Sequence, residues 1–231
     1  MSNDVYASLS GAAASWQQLE TVANNIANSA TTGFKAHRLN FENVLVDEGL
    51  LGDGHVRIGG SVQDFSDGPL QPDDVSSHFA IRGRGFFEVE GYGGTVLRRA
   101  GDFALNEEGF LVTPEGDRVL GEQGAIQLEP GQRIAVASDG SIRADGEIID
   151  KLRIVDAQEL RPLGASQWRA ESEIFASDAT VVQGALEGSN ADPIQGMTDL
   201  IQTSRYFEMY QKAMQTSDEM DRKNIETANR A

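Results

Sequence analysis

A heptad seam at the start of the chain limits its folding more than any other feature. Val5, Leu9, Ala12, Trp16, Leu19, Ala23, Ile26 and Ala30 follow one another at spacings of 4, 3, 4, 3, 4, 3 and 4. Apolar residues at that spacing line one side of an α-helix, and a run of this length is a coiled-coil pattern rather than an ordinary amphipathic face. The spacing predicts a helix over roughly 3–30, capped by Ser2 or Asn3, with Gly33 placed to end it in a left-handed conformation. Its other faces hold Ser, Ala, Gln and Asn, and the only charged side chains in residues 1–34 are Asp4 and Glu20. Solvated coiled-coil flanks usually carry Glu and Lys, so flanks this neutral imply a helix covered on several sides by other chains.

The far end mirrors the first. Asp192-Pro193-Ile194-Gln195 sets a capping acid, a proline at the first helical position and a Gln at the third, which together mark a helix start. A stripe then runs through Met197, Leu200, Ile201, Ser204, Phe207, Tyr210, Met214 and Ser217, and the polar sequence beyond Met220 is expected to fray. At about 1.5 Å per residue each terminal helix would be ~40–55 Å long. Helix breakers crowd between the two ends: of the 25 Gly only Gly11 and Gly196 lie outside residues 33–188, and all six Pro fall within 69–193.

Residues from about 75 to 180 read as β structure. Alternation appears in Phe87-Glu88-Val89, Phe103-Ala104-Leu105, Ile134-Ala135-Val136 and Leu152-Arg153-Ile154. Turn dipeptides separate the runs at Glu108-Gly109, Glu115-Gly116, Pro130-Gly131, Asp139-Gly140 and Asp145-Gly146, the pattern of an antiparallel, highly turned sheet. The expected fold class is α+β: N- and C-terminal helices paired as an antiparallel coiled coil, with an inserted antiparallel β domain. Residues 1–34 with 192–231 would form the paired-helix domain, 35–74 a mixed connector with Gly-rich patches at 49–60 and at Asp67-Gly68-Pro69, and 75–191 the central β domain.

Composition removes several function classes. The 36 acidic residues outnumber 19 basic ones, giving a net charge of -17. That charge disfavours nucleic acid or an anionic membrane as a partner. With no Cys, thiol catalysis, disulfides and thiolate zinc sites are excluded. No apolar run approaches the ~20 residues needed to span a bilayer, and Met1-Ser2-Asn3-Asp4 lacks the basic start of a cleaved signal. The expectation is a soluble chain, or one exported without an ordinary signal.

No catalytic, cofactor or metal site is expected. His37, His55 and His78 lack ligand spacing, and the pairs Asp47-Glu48, Asp73-Asp74 and Glu107-Glu108 flank turn residues, where adjacent carboxylates point apart. Gly83-Arg84-Gly85-Phe86 opens like a dinucleotide fingerprint, but Glu88 stands at the third glycine and a strand pattern follows. Residues 139–146 have the acid density of a calcium loop without its register, and read as two hairpin turns. At helical spacing, Trp16, Tyr206, Phe207 and Tyr210 read as core or interface residues rather than a stacking site.

Two long segments carry a resemblance. Residues 23–35, Ala-Asn-Asn-Ile-Ala-Asn-Ser-Ala-Thr-Thr-Gly-Phe-Lys, resemble the N-terminal signature of bacterial flagellar basal-body rod and hook proteins. Residues 183–193, Gln-Gly-Ala-Leu-Glu-Gly-Ser-Asn-Ala-Asp-Pro, resemble their C-terminal signature. Ile81-Arg82-Gly83-Arg84-Gly85-Phe86-Phe87, Arg99-Ala100-Gly101-Asp102-Phe103 and Gly109-Phe110-Leu111-Val112-Thr113 match between them, and within the family the proximal-rod type is the nearer match.

The resemblance implies a structural, non-enzymatic subunit of the periplasmic rod. Such proteins pass the flagellar type III export apparatus without signal cleavage and polymerise helically with copies of themselves and with neighbouring rod proteins. Nucleic acid, small-molecule substrates and direct membrane insertion are not implied. Residues expected at subunit interfaces are Leu9, Trp16, Leu19, Ile26, Met197, Ile201, Phe207, Tyr210 and Met214 on the helices. Asn25, Asn28, Thr32, Gly33, Phe34, Leu186, Glu187, Ser189 and Asn190 join them from the two signature segments. The alternatives are a distal-rod or hook subunit of the same family, or a secreted β-domain adhesin or enzyme with coiled-coil oligomerisation arms.

Overall fold

The computed structural model describes residues 2–45, 54–91, 93–129, 132 and 134–228. The chain divides into two units. One comprises residues 1–27, 37–64 and 192–231, and the other comprises 28–36 and 65–191. The class is α+β, with long helices at both ends of the chain and antiparallel strands between them.

In the first unit, helix α1 (Ser2–Ala27) and helix α2 (Pro193–Ala228) pack side by side. Gly11 meets Tyr210, Trp16 lies 5.7 Å from Phe207 between ring centroids, and Ile26 meets Gly196. Residue numbers rise along α1 as they fall along α2, so the pair is antiparallel. Small residues set the approach: a Cβ at Gly11 would stand 2.5 Å from the Tyr210 ring, and one at Gly196 would stand 2.8 Å from Ile26.

The start of α2 follows its sequence signal. Asp192 Oδ1 accepts from the amides of Ile194 at 2.8 Å and Gln195 at 3.2 Å, with Pro193 at the first helical position. Gln195 does not turn back to the cap but donates to Asp199 at 2.8 Å. The helix continues past Met220 to Ala228, where fraying was expected. Residues 218–228 contain no Gly or Pro, and Asp218 and Glu219 stand four residues before Arg222 and Lys223, a spacing that supports a helix.

Helix α1 ends three residues before the expected Ala30. The amide of Thr31 donates to Asn28 O at 3.1 Å and its hydroxyl to Asn28 Oδ1 at 3.2 Å, which turns the chain there.

Residues 37–63, within the segment read as a connector, form a β hairpin of His37–Leu45 against Gly54–Gln63. Its register runs from His37↔Gln63 to Leu45↔Gly54 with one shift between Asn40 and Phe41. Asp47-Glu48 lies outside the described residues. The hairpin is fastened to α1 by one amide: Asn25 Oδ1 accepts from His37 N at 2.9 Å and Asn25 Nδ2 donates to His37 O at 2.8 Å. The His37 ring meets Ser61 Oγ at 3.2 Å and Gln63 Nε2 at 3.3 Å, and its burial lowers its pKa.

The second unit is antiparallel throughout. Its principal sheet runs Leu160–Pro162, Gln167–Ala170, Gly94–Arg98, Phe86–Gly91, Arg118–Gly121, Leu111–Val112, Ala104–Leu105, and Ile154–Ala157 branches from Phe86–Gly91 to carry Ile174–Ala176. A three-stranded sheet comprises Ile134–Val136, Ser141–Ala144 and Glu147–Lys151, its last two strands joined by the expected turn at Asp145-Gly146. Two strand pairs, Phe79–Arg82 with Thr180–Gln183 and Leu70–Pro72 with Ala185–Glu187, bring the end of the unit back to its beginning. The expected turn at Pro130-Gly131 lies outside the described residues. One core gathers Phe79, Ile81, Phe87, Val89, Phe103 and Leu111, and a second surrounds Trp168 with Phe86, Leu97 and Val155.

Gly101 is a point of close backbone approach in the larger core, because a Cβ there would sit 1.8 Å from Phe79 O. The variant Gly101→Ala is expected to lose about 2 kcal/mol of stability, read as a lower urea midpoint. His37 gives a pH test. Its pKa is lower folded than the ordinary 6.5, so the unfolded chain binds the extra proton. Its contribution is complete above about pH 6.5 and declines as pH falls towards the depressed value. Amide exchange of the hairpin should therefore accelerate between neutral pH and pH 5 beyond its intrinsic rate change, and His37→Gln should remove that excess.

Candidate functional site

The two helices divide their surfaces unusually. The side of α1 facing α2 runs through Ser8, Gly11, Ala12, Ser15, Leu19, Val22 and Ile26. The facing side of α2 runs through Gly196, Leu200, Thr203, Phe207, Tyr210, Met214 and Ser217. Ala12, Ser15 and Thr203 are buried, and Leu19, Ile26, Phe207, Tyr210 and Met214 are half-buried.

Other expected seam residues are more exposed: Leu9 is 54% exposed, and Trp16, although its ring meets Phe207, is 51% exposed. Met197 and Ile201 are exposed too, beside Ile194, Tyr206 and Met209. Apolar residues stand on two sides of α1, so sequence spacing alone chose the larger side chains, whereas the close approach at Gly11 and Gly196 selects the smaller ones. The outer sides of both helices thus carry large apolar groups that this chain leaves in water.

The two signature segments are joined by buried charge, all within the second unit. Glu187 Oε1 accepts from Lys35 Nζ at 2.7 Å and Gly68 N at 2.8 Å, while Oε2 accepts from Arg99 Nε. The side chains of Lys35, Arg99 and Glu187 are each 1% exposed. Arg99 spends its remaining donors on the carbonyls of Gly83, Gly85 and Ile81 and on Asp67. Lys35 also reaches Ser66 O at 2.7 Å. Burial is the largest influence lowering the Lys35 pKa, Arg99 adds to it, and the Glu187 carboxylate opposes both.

Backbone contacts complete the joint. Gly33 N donates to Glu187 O at 2.8 Å. Gly33 has φ +67°, and a Cβ there would meet Ala100 N at 2.5 Å. Its role is therefore close packing in this joint rather than the end of α1. Asn190 Oδ1 accepts from Ala36 N at 2.7 Å and its Nδ2 donates to Ser66 O at 3.1 Å. Phe34 is buried beside Lys35, and Leu186 pairs with Gln71 in the last strand pair. Asn28 and Ser189 make local turn bonds, Ser189 Oγ accepting from Ala191 N at 3.1 Å, and Thr32 is half-buried.

Lys35, Asp67 and Arg99 were not singled out from sequence, although Arg99 and Lys35 stood inside the resemblance segments. A buried cation looks like any other cation in one dimension. Among the described residues no group of three or more His, Asp and Glu is placed to hold a metal, and no helix is long and apolar enough to cross a membrane.

Replacing the carboxylate tests the joint. Glu187→Gln leaves Lys35 and Arg99 buried without their shared anion and is expected to lose about 3 kcal/mol or more in urea unfolding. The double variant Lys35→Met with Glu187→Gln should lose less than the sum of the two single losses, because the groups share one network.

The chain is similar to known proteins along nearly its whole length. Three family models match it: "Flagella basal body rod protein" over residues 5–35, "Flagellar hook protein FlgE/F/G D1 domain" over 80–149, and "Flagellar basal body rod FlgEFG protein C-terminal" over 182–227. The flagellar basal-body rod protein FlgF of Rhizobium meliloti is 36% identical, the match covering 98% of each chain. FlgF of Caulobacter vibrioides is 32% identical, again with 98% of each chain covered. The rod protein FlgG of Agrobacterium fabrum is 33% identical over 87% of this chain and 90% of its own. The chain belongs to the flagellar basal-body rod protein family, as a FlgF-like structural subunit of that rod.

Proposed function

We propose that this chain is a proximal-rod subunit, which polymerises through its terminal helices with copies of itself and with neighbouring rod proteins. α1 and α2 pair as an antiparallel coiled coil, and neighbours cover their outer apolar sides. Residues 1–27 and 192–231, with the hairpin at 37–64, are the rod-forming domain, and 28–36 with 65–191 are the β domain. The chain reaches the periplasm through the flagellar type III export apparatus without signal cleavage, inserts in no membrane and catalyses no reaction. The interface includes Leu9 and Trp16 on α1 and Met197 and Ile201 on α2.

One observation carries this reading: large apolar side chains lie exposed along the outer sides of both helices, with Ile194 78% exposed. Exposed apolar stripes of this kind mark surfaces that another chain covers. Torque then passes through many packed contacts rather than one hinge. Isolated, the helices gain little from each other and are partly ordered; neighbours supply the missing burial, so ordering and assembly occur together.

Replacing Met197 and Ile201 by Glu on the outward side tests the proposal. The purified double variant should keep its helix content by circular dichroism, while cells carrying it stop swimming and the protein fails to enter isolated basal bodies. Normal swimming would overturn the reading. Limited proteolysis of the wild-type monomer checks the ordering step: residues 2–27 and 193–228 should be cleaved first, and full resistance there would show helices already complete before assembly.

A further inference from the structure

The strand Ile174–Ala176 ends a branch of the principal sheet with one side unoccupied. It pairs with Ile154–Ala157 in the register Val155↔Ala176, Asp156↔Phe175 and Ala157↔Ile174, and no other strand meets it among the described residues. Ser177 N donates to Ile154 O at 3.0 Å. Antiparallel bonding alternates by residue, so Phe175 turns its N–H and C=O towards Asp156, whereas Ile174 and Ala176 turn theirs away from the sheet. The amide of Ala157 satisfies itself on the Asp156 carboxylate at 2.8 Å. Ile174 and Ala176 have no such bond among those described.

The surroundings select what can dock there. Ile174 and Phe175 are exposed, and they border a cleft of about 250 Å³ that Leu152, Ile154 and Val155 also line. Cations near the cleft are already matched, Lys151 with Glu122 at 3.5 Å and Arg153 with Glu88 at 3.0 Å. Glu173 and Asp178, just beyond the two ends of the strand, are exposed and take no salt bridge among the described residues. A second copy is a poor occupant: antiparallel self-pairing centred on Phe175 would set Glu173 of one chain opposite Ser177 of the other, one residue from its Asp178, and each chain carries a net charge of -17.

We infer that this edge binds an extended segment of a different protein as an added strand, with apolar residues over Ile174 and Phe175 and basic residues at both ends. Main-chain bonds to Ile174 and Ala176 supply the docking, and Glu173 and Asp178 choose the partner. The site lies within the second unit and does not depend on how the helices assemble.

The test uses the full-length protein and a synthetic peptide of alternating Val and Thr flanked at each end by Lys. Saturating peptide should slow amide exchange at Ile174 and Ala176 by about tenfold or more relative to the free protein, with Phe175 little changed. Reversing the flanks with E173K and D178K together should weaken binding by about tenfold or more and flatten its salt dependence, without moving the urea midpoint. Ala176→Pro removes one outward donor from an edge strand that tolerates proline and should also weaken binding. Unchanged exchange at Ile174 and Ala176, equal binding by a Glu-flanked peptide, or undiminished binding by the charge-reversed variant would each overturn the inference. So would self-association of the wild-type protein that protects these same amides.

Discussion

An ionised carboxylate withdrawn from water loses several kcal/mol of solvation unless protein groups replace its hydration shell. Glu187 is in that position. Its two oxygens are met by Lys35, the Gly68 amide and Arg99, and Arg99 in turn takes three backbone carbonyls and Asp67. The charges are tolerable only together, so the chain around residues 35, 67, 83, 99 and 187 must meet at one place. Lys35 and Glu187 are 152 residues apart. The second unit therefore closes through a non-local contact, and the strands that deliver it, Thr180–Gln183 and Ala185–Glu187, are the last ones in the chain. A chain lacking them loses Val181 from the larger core and holds Lys35 and Arg99 without an anion.

The helical unit follows the opposite logic. Its inner seam is built largely from Ser8, Gly11, Ala12 and Ser15 against a few large residues of α2. Burial of such small side chains removes little apolar area from water, at about 25 cal/mol per Å². The larger groups Leu9, Met197 and Ile201 stand outside, and Trp16 keeps half its surface in water beside Phe207. Most of the burial available to these helices thus remains unused within one chain. This is reasonable for a family whose members build a shaft, since a helix pair satisfied by itself would have little reason to join another.

The sequence made some of this legible, and physical reasons explain the rest. Asp192-Pro193 announced the start of α2 because a cap is a local bond between neighbours in sequence. Alternation and turn dipeptides located the β region for the same reason, as at Asp145-Gly146. The rotation of the α1 seam was not legible, because Leu9 and Trp16 outrank Ser8 and Ser15 on any apolar count while close approach rewards small size. The hairpin at 37–63 was hidden because Gly59 and Gly60 interrupt its alternation. The Glu187 joint was half visible: Glu187, Phe34 and Gly33 stood out through the signatures, but nothing local pairs Arg99 with a carboxylate 88 residues away.

A protein meant to assemble must present sticky surfaces and still avoid the wrong neighbours. Helix α1 solves this with neutrality, since Asp4 and Glu20 are the only charges in residues 1–34, leaving shape and apolar fit to decide. The strand Ile174–Ala176 solves it with charge. A free edge is ordinarily an invitation to indiscriminate pairing, and short length with flanking charges is how natural sheets restrain it. Glu173 and Asp178 restrain pairing between identical acidic chains most strongly, because the Glu173 of one copy would stand near the Asp178 of the other. The same two carboxylates exert no such penalty on a basic strand. Charge of one sign at an open edge therefore acts as a filter rather than a seal, excluding the chain's own copies while leaving its main-chain bonds available to a partner of opposite sign.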